Sequence, residues 1–342
     1  MERPDVRILS AASTLPGQPV DNGALARRFR MDPVWTQWVD AFVGTRNRHL
    51  SIDLATGEVR GSLADLAASA GQRALAGAGI DAADVDVVVM GTATPDTLMP
   101  ATVNVVADRL GIDGVPTYQL QSGCAGAVQA LDVACRMLGG GMRTALVLAG
   151  DVSTKYFDLG VDLRKLPSAE LVNVVLFGDA AGAAVLTTEP VAHSTAIRGL
   201  LNRLTGKGRT PGHTLDWFGP ADRTSQRPAA VEDFKAIEQS VPVMAVEILK
   251  ELLEELGWHR TDVDYLMPPQ LSGRMTARIV EQLDLPVATE ISCVVDTGNT
   301  GNALPFLQIE QALAKMAPGD RALGIAVESS KWIKAGFALE RC

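Results

Sequence analysis

A repeated segment is the feature that most restricts how this 342-residue chain folds. The sequence GIDAADVDVV at residues 79–88 returns as GWHRTDVDYL at residues 257–266, 178 residues later. Each copy follows a long predicted helix and leads into a predicted buried strand. A second correspondence, offset by 175 residues, aligns the segment around Cys124 with residues 291–300 and places Asn299 opposite Cys124. Two halves with one helix–strand plan, packed about a pseudo-dyad, would bring two helix N-termini to one central site.

Cys124 lies where a strand is predicted to turn into a helix. Residues 117–121 are β-prone, Ser122 and Gly123 break the run, and residues 124–138 carry apolar side chains at three- and four-residue spacing. Unpaired N–H groups and the positive end of the helix dipole favour a thiolate at such a position. Cys124 is therefore a candidate nucleophile, the alternative being a small buried thiol that packs the junction. The repeat favours the nucleophile.

Apolar periodicity and capping residues predict the other elements. The predicted strands cover residues 6–12, 85–92 and 145–149. The predicted helices cover residues 21–30, 33–42, 62–78, 100–110 and 239–256. Ser62 is the predicted N-cap of the third helix, and Pro100 takes the first position of the fourth.

Residues 203–230 are rich in Gly, Pro, Arg and Thr without periodicity, which predicts a long loop of the kind that covers a site. The chain is therefore divided into a first half at residues 1–190, a connecting or lid segment at residues 191–232, and a second half at residues 233–342.

Charge and cysteine content exclude several classes of function. The net charge of −9 argues against nucleic acid as the main partner, although a local basic patch can still bind an acidic carrier protein. The chain shows no signal-peptide pattern and no run of about 18 apolar residues that would span a membrane. The cysteines are too few and too scattered for a disulfide framework or a zinc site: Cys124, Cys135, Cys293 and Cys342. We therefore expect a cytoplasmic protein without metal or cofactor.

Four short motifs accompany the repeat: GTRNRH at residues 44–49, GCAG at 123–126, FGDAAGAA at 177–184 and GNT at 298–300. Together they resemble the thiolase fold and, within it, the β-ketoacyl-ACP synthase III group. The resemblance implies an α/β protein with two similar halves packed as a five-layered αβαβα sandwich, paired as a homodimer. It also implies that Cys124 is acylated from a thioester, and that Asn299 and a histidine help malonyl-ACP to lose CO₂ and attack the acyl-enzyme.

The histidine of that group is absent here. Its Pro-His-Gln-Ala-Asn motif corresponds to PPQLS at residues 268–272, which puts Pro269 at the histidine position. Proline has no titratable group, and losing a preorganised donor to the enolate oxygen costs about 10²–10³ in rate. Cys124 and Asn299 are retained, so the departure indicates an acyl-enzyme that another nucleophile resolves.

The residues that grip the acyl donor also depart from the group. Trp38 matches the tryptophan that coenzyme-A-using members place against the adenine, but Phe42 and Leu171 occupy the positions of two phosphate-binding arginines. Charge-assisted phosphate contacts are lost with them. Arg274 matches an arginine that docks the acidic carrier protein, the alternative being a solvated helix charge. We therefore expect an acyl carrier protein rather than acyl-CoA as donor, docked by Arg274 and Trp38.

Three further site residues follow from the resemblance. The glycine-rich hairpin that supplies an oxyanion-hole N–H corresponds to VESSKWIKAG at residues 327–336, so the backbone around Ser330 and Lys331 is the expected donor beside the N–H of Cys124. Met99 matches a bulky residue that crosses the dimer interface into the partner's pocket, the alternative being a core methionine.

His213 is the candidate substitute for the missing imidazole, because it lies in the predicted loop over the entrance. His49 is expected to cap or pack a turn, and His193 and His259 are expected to be solvated. Asp296, three residues before Asn299, is either near the site or a turn-forming residue.

These residues predict an acyltransferase. Cys124 would load an acyl or aryl group from a carrier protein and pass it to an amine or hydroxyl of a small natural-product intermediate of sugar or aminocyclitol type, without decarboxylative condensation. The first alternative is a synthase III-type condensing enzyme with a relocated base. The second is a non-catalytic subunit that pairs with an active homologue.

Overall fold

The computed structural model describes residues 5–166, 168–216 and 230–342. In these ranges the strands are β1 (Arg7–Thr14), β2 (Val20–Asp21), β3 (Asn47–Arg48), β4 (Val87–Thr92), β5 (Thr117–Gln121), β6 (Thr144–Asp151), β7 (Ala180–Thr187), β8 (Thr195–Leu204), β9 (His213–Leu215), β10 (Ala230–Glu232), β11 (Tyr265–Met267), β12 (Thr289–Glu290), β13 (Arg321–Glu328) and β14 (Ile333–Arg341). The α-helices are α1 (Asn22–Phe29), α2 (Pro33–Trp38), α3 (Leu63–Ala78), α4 (Thr102–Leu110), α5 (Gly126–Leu138), α6 (Ser168–Leu176), α7 (Phe234–Leu256), α8 (Gly273–Leu283), α9 (Val294–Thr297) and α10 (Leu304–Leu313).

The main sheet has two halves with one topology. Its strand order is β12-β11-β13-β14-β8-β1-β7-β6-β4-β5. In each half three parallel strands are followed by two antiparallel ones: β5, β4, β6, β7 and β1 in the first, and β12, β11, β13, β14 and β8 in the second. The halves meet where β1 pairs antiparallel with β8, with Arg7 opposite Ala196 and Ile8 opposite Thr195. This arrangement is the pseudo-dyad that the repeat predicts.

The hydrophobic clusters define five layers. One cluster joins α5 and α10 to the inner faces of both sheet halves, so these two helices form the central layer. A second packs α3 and α4 on the outer face of the first half, and a third packs α7 and α8 on the outer face of the second. All six residues of β4 are buried, as expected for a parallel strand with helices on both sides. The predicted αβαβα sandwich is confirmed.

The repeated segment folds the same way twice. Helix α3 ends at Gly79, with φ +66°, and α7 ends at Gly257, with φ +64°. This left-handed conformation costs glycine no Cβ clash, so it is the usual helix C-terminus. A 3₁₀ turn follows at residues 82–84 and at residues 260–262, and β4 and β11 come next.

Two predicted helix starts are wrong. Helix α4 begins at Thr102, with Pro100 still in the preceding loop. That loop is fixed by Asp96, whose carboxylate accepts hydrogen bonds from the first N–H groups of α3 at Leu63 and Ala64. Helix α7 begins at Phe234 rather than at residue 239, because the Asp233 side chain caps it.

The predicted connecting segment at residues 191–232 contains regular structure. Strand β8 pairs with β14 and is part of the second sheet half, and β9 and β10 form a small antiparallel pair. Residues 217–229 of the predicted loop lie outside the described residues. The division at residues 190 and 232 stays a prediction. In the part of the chain that the structure covers, none of the helices combines the length and apolarity that a bilayer crossing requires.

Candidate active site

A cavity of ≈ 30 Å³ lies beside Cys124, where the N-termini of α5 and α10 approach each other. It brings together the predicted pair Cys124 and Asn299 with Pro269, the residue at the histidine position. Its walls are Cys124, Pro268, Pro269, Gln270, Leu271, Asn299, Gly301, Leu304, Pro305, Gln308, Ile325, Ala326 and Val327.

The environment of Cys124 keeps its thiol protonated. Burial has the largest effect and, together with the carboxylates of Glu328, Asp151 and Glu232 in that order, raises the pKa of Cys124 to about 12. The hydrogen bond from its own N–H acts in the opposite direction. The expectation of a thiolate stabilised by the helix start is therefore wrong for this structure, because burial and nearby negative charge outweigh the helix dipole.

Cys124 also lies two residues before the helix that is predicted to begin at it. Helix α5 begins at Gly126, whose N–H bonds back to the carbonyl of Gly123 at 2.8 Å. A Cβ on Gly126 would overlap the Asn302 amide oxygen, so glycine permits the close approach of the loop before α10. The cysteine turn is therefore shaped by the opposite half of the molecule.

Glu328 holds the cysteine turn from the end of β13. This buried carboxylate accepts hydrogen bonds from the Ser122 hydroxyl at 2.6 Å and the Gly123 N–H at 2.9 Å. Its other oxygen bonds to the Ser330 hydroxyl. A residue at the end of a second-half strand thus fixes the turn that carries Cys124.

Asp151 plays the corresponding role at the end of β6. One oxygen accepts from Thr92, Ala93 and Thr94, and the other accepts from the N–H and the side-chain amide of Asn302 at 2.8 and 2.9 Å. Asn302 also donates to the Ser122 carbonyl at 2.9 Å. Burial raises the pKa of Asp151, while the Asn302 and Ala93 N–H groups act against that shift.

Asn299 and Gln270 complete the polar wall of the cavity. Asn299 is buried, and its Oδ1 accepts from the Gly301 N–H at 3.0 Å. Gln270 is 3% exposed, and its Oε1 accepts from the N–H groups of Cys293 and Val294, which begin α9. The Gln270 Nε2 has no hydrogen-bond partner among the described residues.

No histidine in the described chain lines the cavity. The Nδ1 of His49 lies 3.1 Å from the Pro16 carbonyl, as expected for a residue that packs a turn. His193 and His259 are exposed, as predicted. Asp296 is also exposed and lies 3.6 Å from Arg46 in an ion pair.

His213, unlike the other three histidines, pairs with a carboxylate in the described part of the chain. Its Nδ1 is 3.0 Å from the Glu232 carboxylate on the neighbouring strand. Burial lowers the pKa of His213 to about 4 and raises that of Glu232 to about 7. Within the described ranges, no group of three or more His, Cys, Asp or Glu side chains is placed to hold a metal ion.

Comparisons with known proteins identify the relatives of this chain. A family model for 3-oxoacyl-[acyl-carrier-protein] synthase III matches residues 118–200, and the model of its C-terminal part matches residues 253–329. The β-ketoacyl-ACP synthase III of Methylococcus capsulatus is 29% identical over 315 residues, which are 90% of this chain and 89% of that protein.

Solved structures extend the match to nearly the whole chain. AbyA1, described as a tetronic acid condensing enzyme, is 64% identical, with a TM-score of 0.96 over 98% of this chain and 99% of that one. The chain belongs to the β-ketoacyl-ACP synthase III-like family. The family member FabH from Pseudomonas aeruginosa PAO1 is 26% identical, with a TM-score of 0.84 over 98% of each chain. The protein is thus an enzyme of the ketosynthase class.

The two positions that the resemblance assigns to phosphate-binding arginines are apolar in this synthase III-like enzyme. Trp38 is half-buried with its ring 6.2 Å from that of Phe42, and Phe42 is 71% exposed. Leu171 packs into the same cluster as Trp38. Arg274 is exposed in the first turn of α8, against Gly44. The structure therefore puts an arginine and an exposed aromatic side chain on neighbouring elements, and the carrier-docking role of Arg274 and Trp38 stays a prediction.

The three remaining predicted residues lie outside the cavity. Ser330 bonds to Glu328, and the Lys331 Nζ donates to the Arg209 carbonyl at 2.7 Å. Met99 is 88% exposed in the loop before α4. Their oxyanion and interface roles stay predictions.

Sequence reasoning missed Glu328, Asp151 and Gln270. Glu328 and Asp151 each end a strand of equivalent position in the two halves, and Gln270 directly follows Pro269. A polar residue at the carboxyl end of a buried strand is the signal that would have found the first two, because such ends meet at one edge of a sheet.

Proposed function

We propose that this protein is a non-decarboxylating condensing enzyme that builds a tetronic acid ring from two acyl thioesters. The observation that carries the proposal is Pro269, which lines the same cavity as Cys124 and Asn299 where a condensing enzyme needs an imidazole. The 64% identity to a tetronic acid condensing enzyme supports it.

The chemistry of the ring defines the two substrates. A tetronic acid is the five-membered lactone of a 4-hydroxy-3-oxo acid, so its assembly from two acyl groups requires one C–C bond and one ester bond. The acyl group on Cys124 must therefore carry a hydroxyl on the carbon beside its carbonyl. The second substrate supplies the attacking carbon and the carbonyl that becomes the lactone.

The reaction then has three balanced steps. The Cys124 sulfur attacks a 2-hydroxyacyl thioester, a new C–S bond forms, and the carrier thiol leaves with the cysteine proton. The methylene carbon of a 3-oxoacyl thioester loses a proton and attacks the acyl group, and the C–S bond to Cys124 breaks. The 2-hydroxyl finally attacks the remaining thioester, and the second carrier thiol leaves.

This substrate choice explains how the enzyme works with Pro269. A methylene between two carbonyls forms an enolate without losing CO₂, since both oxygens share the charge. The family imidazole serves decarboxylation, and a substrate that needs none makes its loss less costly. Asn299 is the proposed partner of the enolate or acyl oxygen.

The proposed donor is a carrier protein. Apolar Phe42 and Leu171 replace charge-assisted phosphate contacts, and Arg274 offers an exposed cation to an acidic partner. No cofactor takes part in the three steps. A homodimer with Met99 at the interface is part of the same proposal.

Incubation with a 2-hydroxyacyl carrier protein and a 3-oxoacyl carrier protein tests the function. We expect a mass increase on Cys124 with the first substrate alone, a tetronic acid with both, and no product from Cys124→Ala. Cys342→Ser, which changes an exposed thiol, is the matched control.

Three other outcomes identify the rivals. Release of CO₂ from malonyl carrier protein together with a linear 3-oxoacyl product would indicate a decarboxylating synthase III. Transfer of the Cys124 acyl group to an added sugar or aminocyclitol, without a C–C bond, would indicate the simple acyltransferase. Absence of any adduct would indicate a non-catalytic subunit.

A further inference from the structure

A histidine–carboxylate pair lies on the small β9–β10 sheet, outside the walls of the Cys124 cavity. His213 and Glu232 are cross-strand partners, and the His213 Nδ1 lies 3.0 Å from a Glu232 oxygen. The Asn173 side chain also hydrogen-bonds Glu232. The other ring nitrogen, His213 Nε2, is buried and has no hydrogen-bond partner among the described residues. One ring nitrogen, Nδ1, is therefore held by Glu232, and the other, Nε2, is left without a hydrogen bond among the described residues.

Two observations place this pair near Cys124. The Glu232 charge is one of three that raise the pKa of Cys124, and the other two are those of Glu328 and Asp151. In addition, the Gly212 N–H donates to the Ser329 carbonyl at 3.0 Å. The residue before His213 thus contacts the residue after Glu328, whose carboxylate binds the cysteine turn.

The proposed reaction lacks a proton acceptor in the cavity itself. The Cys124 thiol is protonated at neutral pH, and the 3-oxoacyl methylene must also lose a proton. Pro269 has no basic atom in its side chain. The oxygens of Asp151 already accept hydrogen bonds from protein donors, and so do those of Glu328.

We propose that His213 Nε2 is the base of the condensation step and that Glu232 is the positioning residue that orients its ring. The inference rests on the proposed function. The methylene proton moves to Nε2, its electron pair forms the C–C bond to the acyl carbonyl, and the C–S bond breaks. The Cys124 thiolate then takes the proton back from the imidazolium, so no proton is lost or gained.

The His213 imidazole is neutral at neutral pH, as a proton acceptor has to be. Because burial lowers the pKa of His213, its imidazole is neutral at pH 7 and Nε2 has a free lone pair when Nδ1 carries the hydrogen. When Glu232 is ionised, its hydrogen bond with Nδ1 selects that tautomer, and because burial raises the pKa of Glu232 to about 7, the ionised fraction grows above pH 7. A carboxylate that orients a catalytic imidazole in this way is a recurrent arrangement in enzymes.

His213→Asn is the decisive variant, because asparagine retains a polar atom near the Nδ1 position for Glu232 and removes Nε2. We expect acylation of Cys124 within about threefold of wild type and ring formation lower by about 10²–10³. His193→Asn, at an exposed histidine, is the matched control and should retain the wild-type rate. Exogenous imidazole should restore part of the activity of His213→Ala.

Deuterium exchange isolates the proton transfer. In Cys124→Ala, which forms no acyl-enzyme, the bound 3-oxoacyl carrier protein should exchange its methylene protons with D₂O faster than without enzyme. The double variant Cys124→Ala/His213→Asn should lose this excess. Glu232→Gln, with the ring still bonded but less firmly oriented, should lower ring formation by about tenfold.

The outcomes separate the two proposals. If wild-type enzyme forms no acyl-Cys124, the proposed function fails. If the adduct forms and His213→Asn closes the ring at the wild-type rate, or exchange is unchanged in the double variant, His213 is not the base and the proposed function stands.

Discussion

In each half of the molecule, a carboxylate at the end of a strand binds a loop of the other half. Asp151 ends β6 in the first half and binds Asn302 of the second-half loop before α10. Glu328 ends β13 in the second half and binds Ser122 and Gly123 of the first-half loop before α5. Each half therefore fixes the loop that carries the other half's candidate site residue, Cys124 or Asn299.

The difference lies in what each carboxylate does with its second oxygen. Asp151 uses it to bind Thr92, Ala93 and Thr94 of its own half, while Glu328 bonds only to the Ser330 hydroxyl. Asp151 thus connects three segments, and Glu328 connects two. Both halves therefore keep the same carboxylate support of a loop, although only the first-half loop carries the proposed nucleophile Cys124.

Replacing Cys124 or Asn299, the equivalent site residues of the two halves, with alanine should give the largest difference in turnover. Cys124→Ala removes the nucleophile, and we expect turnover to fall by at least about 10³. Asn299→Ala removes an amide and leaves the covalent step, so a loss of about 10–10² is expected. Steady-state turnover and intact-mass spectrometry measure both, with Cys342→Ser as control. Equal losses would mean that the halves share the chemistry.

Much of this comparison was predictable from the sequence. The repeat at residues 79–88 and 257–266 predicted the two-half plan, because a glycine after a long helix has a specific backbone role in both copies. The pairing of Cys124 with Asn299 followed from the offset. The bracing by Glu328 was not predictable, since it joins residues 205 apart in the chain and periodicity describes only local structure.

The protonation of Cys124 was mispredicted for a related reason. The helix start is a local feature, whereas the burial and the three carboxylates come from distant segments. The same holds for His213, which the sequence placed in a loop and the structure places on a strand beside Glu232.

Removing the charge of each bracing carboxylate should affect stability unequally. Asp151→Asn puts an amide N–H₂ against donors from two other segments, residues 92–94 and Asn302, and we expect a loss of about 2–4 kcal/mol in the free energy of unfolding. Glu328→Gln disturbs fewer bonds, and about 1–2 kcal/mol is expected. Urea denaturation measures both. Glu340→Gln, whose carboxylate binds exposed Arg198, serves as a surface control. A larger loss of unfolding free energy for Glu328→Gln than for Asp151→Asn would show that Glu328 is the more important of the two carboxylates for stability.

The same two carboxylates predict how Cys124 responds to pH. Because its pKa is raised to about 12, the thiolate fraction at pH 8 is about 10⁻⁴, and alkylation should accelerate up to pH 10 without a plateau. Glu328→Gln removes the carboxylate with the greatest effect, so the rate at pH 8 should rise by about three- to tenfold. Iodoacetamide labelling followed by peptide mass spectrometry resolves Cys124 from the other thiols. A plateau near pH 8.5 would show an ordinary thiol.

The smallest expected effect concerns the outer helices α4 and α8. They are equivalent in position, but only α8 is predicted to bind the carrier protein. Arg274 on α8 is the proposed carrier contact, whereas Arg109 on α4 lies 3.1 Å from Asp65 in an exposed ion pair. Because an exposed charge pair is worth about 0.2–1 kcal/mol, Arg274→Ala should raise the KM for an acyl carrier protein by about two- to fivefold. Arg109→Ala should leave it unchanged. A small acyl thioester without carrier should show no difference between the variants. If both substitutions raised the KM for the acyl carrier protein equally, carrier docking would not be specific to the second half.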